Sequence, residues 1–167
     1  MRGRLDVAFF ALTPPPELDV VELLDVPYVA LVAQSHALAT EPTVSLARLA
    51  SEPWIDSPPG YGGRVGIERA LAERGLRRQV VAEIADVLAI PGYVATGMGV
   101  AVVPDIIDPV GCAKLAVAEP IAPWTISLAT RRNATDRPAV AALIEELRSH
   151  VRQQHRERLR AQDAQSR

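Results

Sequence analysis

Apolar residues in this chain fall in short unbroken runs punctuated by proline and glycine, with stretches of helical period between them, which is the pattern of buried strands alternating with amphipathic helices. Leu5–Leu12 (LDVAFFAL) is one such run, closed by Pro14, Pro15 and Pro16, and is expected to be a buried strand. LDVVELLDVPYVALVA gives two extended runs on either side of Pro27, which has no N–H for a ladder and so marks a strand boundary. A short helix is predicted over Ser45–Ala50, a strand over Pro53–Asp56 and then a Pro/Gly-rich loop. In RVGIERALAERG, Ile67, Ala70 and Leu71 share one helical face, and Gly75 stands where a left-handed C-cap belongs. RQVVAEIAD reads as a strand ending at Asp86, whose carboxylate is suited to cap the next helix. There Val87, Ile90 and Val94 form a face, while Pro91 predicts an irregular or kinked first turn.

The segment VATGMGVAVVPD raises a choice between a phosphate-cradling loop and a structural joint. A cradle needs strand, glycines, then a helix N-terminus, whereas these glycines follow a helix and precede an apolar run. The reading is therefore structural: Gly97 closes the helix with positive φ, Gly99 permits close backbone packing, and Val100–Val103 is a buried parallel strand. Trp54–Val103 then forms a βαβαβ unit with right-handed crossovers, and the fold class is α/β. CAKLAVAEP and WTISLATR read as further strands. A long helix runs from Arg137 to about Leu159, and its apolar stripe ends at Val151, beyond which it is expected to project into water and fray.

Composition supports this picture. At 167 residues, with 49% hydrophobic and 23% charged residues, the chain can bury a core, and with only 4% aromatics that core is built from Ala, Val, Leu and Ile. The net charge of −2 leaves no overall electrostatic footprint for nucleic acid. From Arg148 to Arg167 six arginines face Glu157 and Asp163, a local +4 that leaves −6 for the rest; a solvated helix end is the simpler account of it than phosphate binding. The one cysteine, Cys112, cannot form an internal disulfide, the N-terminus lacks an export signal, and no apolar stretch reaches membrane-spanning length. A cytoplasmic protein without membrane association is expected.

Ligands of doubly wound sheets bind beyond the carboxyl ends of the strands. Two such ends are legible. DSPPGYGGR, Asp56–Arg64, offers the Ser57 hydroxyl, Pro58, open backbone at Gly60, Gly62 and Gly63, the Tyr61 ring and the Arg64 cation before a helix start, a setting that favours an anion such as a carboxylate. An ordinary surface loop is the competing account. The second end is EIAD, Glu83–Asp86, where Glu83, Ile84 and Ala85 reach the same crevice. HExxH, GxSxG, GxxxxGK[ST] and CxxC are not present in the sequence, and no metal site or cofactor is called for. Cys112 reads as a small buried residue and His36 as a loop or packing histidine, so an enzyme on this scaffold would draw on Glu83, Asp86 or His36.

The ordered set GRLDVAFF, VPYVALVAQSHALA, VSLARLASEPWI, GRVGIERALAERG, AEIADVLAIPGYVATGMGVAVVPD, a Trp-containing return strand and RNATDRPAVAALIEELRSHV resembles the effector-binding (substrate-binding) domain of LysR-type transcriptional regulators, from about Gly3 to Val151. The resemblance implies a two-lobed fold like the type 2 periplasmic binding proteins, with a small-molecule inducer held between lobes and two crossing strands as hinge. It places a remnant of lobe I at 1–34, lobe II at 35–120, the return strand and helix of lobe I at 121–151 and a charged, disordered tail at 152–167. The crossing strands would be Tyr28–Ala33 and Thr125–Ala129. Val32 on the first of them, Ser57–Tyr61 and Glu83–Ala85 would contact the inducer, and Gly97, Gly99 and Pro104 match the family's GxGxxxxP segment.

The chain departs from the family at Ala37, where proline is usual, and in starting at a strand that lies midway through the first lobe. A domain truncated at its N-terminus, lacking the winged helix-turn-helix, is therefore expected, with lobe II complete as the βαβαβ unit and lobe I incomplete. The implied function is small-molecule sensing without catalysis and without sequence-specific DNA binding by this fragment, with a homodimer through the effector domain as a further implication. A solute-binding protein of a transport system is the alternative on the same fold, and a small α/β enzyme a third.

Overall fold

The extended runs around Pro27 become strands β2 (Leu18–Val26) and β3 (Tyr28–Ala33), preceded by β1 (Val7–Phe10). The computed structural model describes residues 6–11, 14–132 and 137–165. After β3 come β4 (Thr43–Val44), α1 (Leu46–Ala50), β5 (Pro53–Asp56), α2 (Gly62–Ala72), β6 (Gln79–Glu83), a single 3₁₀ turn at Val87–Ala89, α3 (Ile90–Ala95), β7 (Ala101–Pro104), β8 (Cys112–Val117), β9 (Trp124–Arg131) and α4 (Pro138–Gln165). The chain divides into two compact units: Val26–Trp124, and the flanking segments Met1–Asp25 with Thr125–Arg167. β3 thus belongs to the central unit, and from Thr125 onward β9 belongs to the flanking one.

In the central unit β5 and β6 pair in parallel, with a bulge between Trp54 and Ile55, and β5 meets Val100 through a parallel bridge. The predicted βαβαβ unit is thus present, with β5 in its middle. The predicted strand at Val100–Val103 runs parallel to β5, joined to it through Val100, but it also has a second partner that the pattern did not indicate. Beyond the bridge at Val100, β7 pairs antiparallel with β3, because β3 runs against it, and β3 pairs antiparallel with β8 on its other side. All six residues of β3 are buried, as a strand flanked on both sides and covered on both faces requires. One apolar cluster gathers Trp54, Leu31's neighbours Ala30 and Val32, Leu46, Leu49, Ile67 and Leu71; the other gathers Leu31, Ile55, Ile90, Val94 and Val103.

Local chemistry explains the helix ends. Ser45 accepts the Arg48 N–H to start α1. α2 ends with Gly75 N–H on the Ala72 carbonyl and Leu76 N–H on the Leu71 carbonyl, the paired bonds of a Schellman ending, with Gly75 at φ 65°. β6 ends at Glu83, three residues before Asp86, and Asp86 accepts the Leu88 N–H at 3.0 Å to start the 3₁₀ turn. The irregular start predicted from Pro91 is this 3₁₀ turn, which places Pro91 in the first turn of α3, where no N–H is needed. Asp86→Ala is expected to cost about 1 kcal/mol in a urea melt through the lost cap.

In the flanking unit the sheet order is β1-β9-β2, and α4 covers it with Val140 and Ile144 against Leu128, Val7, Val21 and Leu23. The buried strand expected over Leu5–Leu12 is corrected here. Among the described residues of that run only Val7–Phe10 is strand, at a sheet edge, and Phe9 is 62% exposed, since an edge strand has one neighbour to bury it. Leu5 and Leu12 lie outside the described residues. α4 continues to Gln165, past the point near Leu159 where the pattern predicts an end, because backbone hydrogen bonding in a helix does not require an apolar face.

Candidate functional site

The site grows from the carboxyl end of β5. Trp54 and Ile55 bury both faces of the strand, so Asp56, at its tip, is carried into the interior, where it is 5% exposed. Its carboxylate accepts the Ser57 N–H at 2.8 Å through one oxygen and Arg78 Nε and Nη2 at 3.0 and 2.5 Å through the other. Burial pushes the Asp56 pKa above its usual value, against the opposing pull of Arg78, the Ser57 N–H and Arg64. Arg78 starts from the opposite end of the strand pair and lies over the Trp54 ring, 5.2 Å from its centroid, on its way to Asp56.

Arg64, in the first turn of α2, gathers the strand tips. Its Nη1 donates both to the Ser57 carbonyl and to Glu83 Oε1, each at 2.7 Å, and its Nε donates to Glu68 at 2.7 Å. Burial works against the Arg64 cation, but the hydrogen bonds to Glu83 and Glu68 outweigh it and hold the pKa above the usual arginine value. Ile84 N–H closes the same junction on the Asp56 carbonyl at 2.8 Å. The start of α2 is fixed from below by Tyr28, whose hydroxyl donates to the Gly63 carbonyl at 3.0 Å. Burial first, and the negative charge of Asp56 second, push the Tyr28 pKa up to about 12, so it is a permanent donor.

The residues predicted for the site are therefore mostly brought together. Ser57, Arg64 and Glu83 share direct contacts, Pro58 is half-buried beside them, and Ala85 is exposed at the end of the β6 edge. Tyr61 is exposed at the N-cap of α2, and Gly60, at φ 86°, has open space where a side chain would point. The Gly62 and Gly63 N–H groups lie in the first turn of α2, which has no intrahelical acceptors for them. Ile84 is half-buried against the second apolar cluster. Val32 does not join the group: it is 0% exposed, and its side chain is part of the first core cluster. Arg64 also departs from expectation, since its charge is already engaged by carboxylates. Asp56, Glu68 and Glu83 face Arg64 and Arg78, one more negative than positive charge.

Sequence reasoning missed Arg78, Glu68 and Tyr28. Glu68 carries a readable signal, four residues after Arg64 on one helix face; the other two depend on register and packing. The other chemically capable residues have structural tasks. His36 Nδ1 accepts the Leu38 N–H at 3.2 Å within a turn, Cys112 Sγ donates to the Pro91 carbonyl at 3.2 Å with its thiol pKa raised by burial, and Asp86 is a cap. Among the described residues no group of three or more His, Cys, Asp or Glu is placed to hold a metal ion, and no helix is long and apolar enough to cross a membrane.

A parallel βαβαβ unit whose strand tips carry a glycine-rich loop, a helix start and a tethered arginine defines an α/β ligand-binding domain. The chain matches the LysR substrate binding domain over residues 1–152, and it belongs to that family. The transcriptional activator CmpR of Synechocystis is 33% identical over 104 residues, which are 61% of this chain and 34% of CmpR. The effector-binding domain of QuiR in complex with shikimate has a TM-score of 0.80 at 22% identity, covering 90% of this chain and 73% of that one. The BenM effector-binding domain with benzoate has a TM-score of 0.73 at 21% identity, covering 91% and 72%. The fold is thus the periplasmic-binding-protein-like fold of these effector domains, and the match favours the regulator reading over a transport protein. The chain spans about a third of the length of the curated relatives it matches.

Proposed function

We propose that this domain binds a small organic acid at the carboxyl ends of β5 and β6 and serves as the sensing part of a transcriptional regulator in the cytoplasm. The observation that carries the reading is Arg64 Nη1, which joins the Ser57 loop to the Glu83 edge through two 2.7 Å hydrogen bonds and so makes one site of two separate strand tips. The outward N–H groups at the start of α2 and the Ser57 hydroxyl supply donors for an acid. The carboxylates held by two neighbours of the same fold, shikimate and benzoate, fit that donor set. The signal itself needs no chemistry: a ligand that prefers one conformation shifts the population by its differential affinity.

Thermal-shift screening against small organic acids is the test. A ligand at a hundredfold excess over its Kd stabilises the fold by about 2.7 kcal/mol, an easily read rise in melting temperature. Ser57→Ala is expected to weaken the best ligand by about 1 kcal/mol, roughly fivefold, with little change in the ligand-free melting temperature. Unchanged affinity in that variant would count against this location.

A further inference from the structure

At the carboxyl ends of β5 and β6 one side chain stands where an acid would bind. Glu83 Oε1 already occupies a donor of Arg64 Nη1, the position an acid would seek. The two partners are held very differently. Arg64 is 11% exposed and anchored by Ser57 and Glu68, whereas the Glu83 side chain is 46% exposed and, among the described residues, has Arg64 as its hydrogen-bond partner. Nη2 of Arg64 makes no hydrogen bond among the described residues. Guanidinium binds carboxylate best through two parallel N–H groups on neighbouring nitrogens. With Glu83 in place only Nη2 is open, and with Glu83 turned out to water the second donor becomes available.

We infer that Glu83 is an internal stand-in for the ligand's carboxylate, and that an acid binds by displacing Glu83 from Arg64. This rests on the proposed acid-binding reading of the site. Displacement costs little, because an ion pair with one partner about half exposed to water contributes modestly to the fold. It acts as a filter, since an anion must compete with a tethered carboxylate before Arg64 accepts it, and a neutral analogue gains nothing from that exchange. It also reconciles an acid ligand with a cluster that holds more negative than positive charge, because the exchange of one carboxylate for another leaves the local balance unchanged.

Calorimetric titration of the chain with benzoate and shikimate, and with benzamide as the neutral counterpart, tests the displacement. Glu83→Gln keeps the shape and an acceptor but removes the charge, and is expected to tighten the acids by about threefold to fivefold, with benzamide unaffected and the gain shrinking as salt is added. Glu83→Ala is expected to act in the same direction, and melting curves of both variants report that the fold is retained. Affinity for the acids that is unchanged or weaker in both variants overturns the inference, as does the absence of binding in every form. If Ser57→Ala weakens an acid while the Glu83 variants do not tighten it, displacement fails and the site stands. If neither residue matters to an acid that does bind, the site itself is misplaced.

Discussion

Arg78→Ala is expected to destabilise the central unit by about 3–5 kcal/mol, the cost of leaving a buried carboxylate without its cation. Asp56 is 5% exposed and the Arg78 side chain 8%. With Arg78 removed, Asp56 retains the Ser57 N–H and the more distant Arg64, 3.8 Å away, and the Trp54 ring loses the guanidinium that covers it. The deficit is expected to depend on pH. Burial raises the folded pKa of Asp56 above 3.8, and Arg78 is foremost among the influences that lower it. An acid with a raised folded pKa favours the fold below its unfolded pKa, and that contribution is lost as the pH rises through the folded value. Removing Arg78 lifts the folded value further, so the deficit should be smaller at about pH 5 than at about pH 8. Urea melts at the two pH values check both statements, and a loss under about 1 kcal/mol at the higher pH would mean that Asp56 is less isolated from water than its burial indicates.

Gly99→Ala is expected to cost about 3 kcal/mol, at the upper end for overpacking. A Cβ at Gly99 would stand 2.6 Å from the Pro53 carbonyl oxygen and 3.0 Å from its carbon. Those atoms are backbone and cannot rotate away. The same carbonyl accepts the Val100 N–H at 2.8 Å, and Ile55 N–H returns a bond to the Val100 carbonyl at 2.9 Å, so relief of the clash would break the bridge that joins β5 to β7. The conformation at Gly99 is not the obstacle, because its φ is not among the positive ones, in contrast to Gly97 at 81°. Gly97→Ala meets open space and suffers only from that backbone angle, which makes it the natural comparison in the same denaturation series.

Much of this was legible in the residues. Hydrophobic runs bounded by Pro27, Gly75, Gly97 and Gly99 mark the element boundaries because those residues act locally, through a missing N–H, a positive φ or a missing Cβ. Asp86 as a cap is local in the same sense. The antiparallel pairing of β7 with β3 was not legible, since a buried apolar run looks alike whether its neighbour is parallel or antiparallel. Nor was the exposure of Phe9, which depends on how many strands flank β1. The candidate site divides the same way. Ser57, Arg64 and Glu83 sit at strand ends, which sequence locates, but the charge on Arg64 reads as free only until the register of β5 against β6 sets Glu83 beside it. Arg78 is invisible for a stronger reason, as its side chain reaches Asp56 from the far end of the strand pair. Val32 was placed in the site by resemblance, and β3, flanked on both sides, turns it into core.

The most direct test of the account is an amide nitrogen–proton NMR titration of the chain with the acid that gives the largest thermal shift. The account predicts that the perturbed amides concentrate at Ser57, Gly60–Gly63 and Glu83–Ala85, with the sheet formed by β1, β9 and β2 changing less. Saturable binding that leaves those amides in place while shifting others would contradict it.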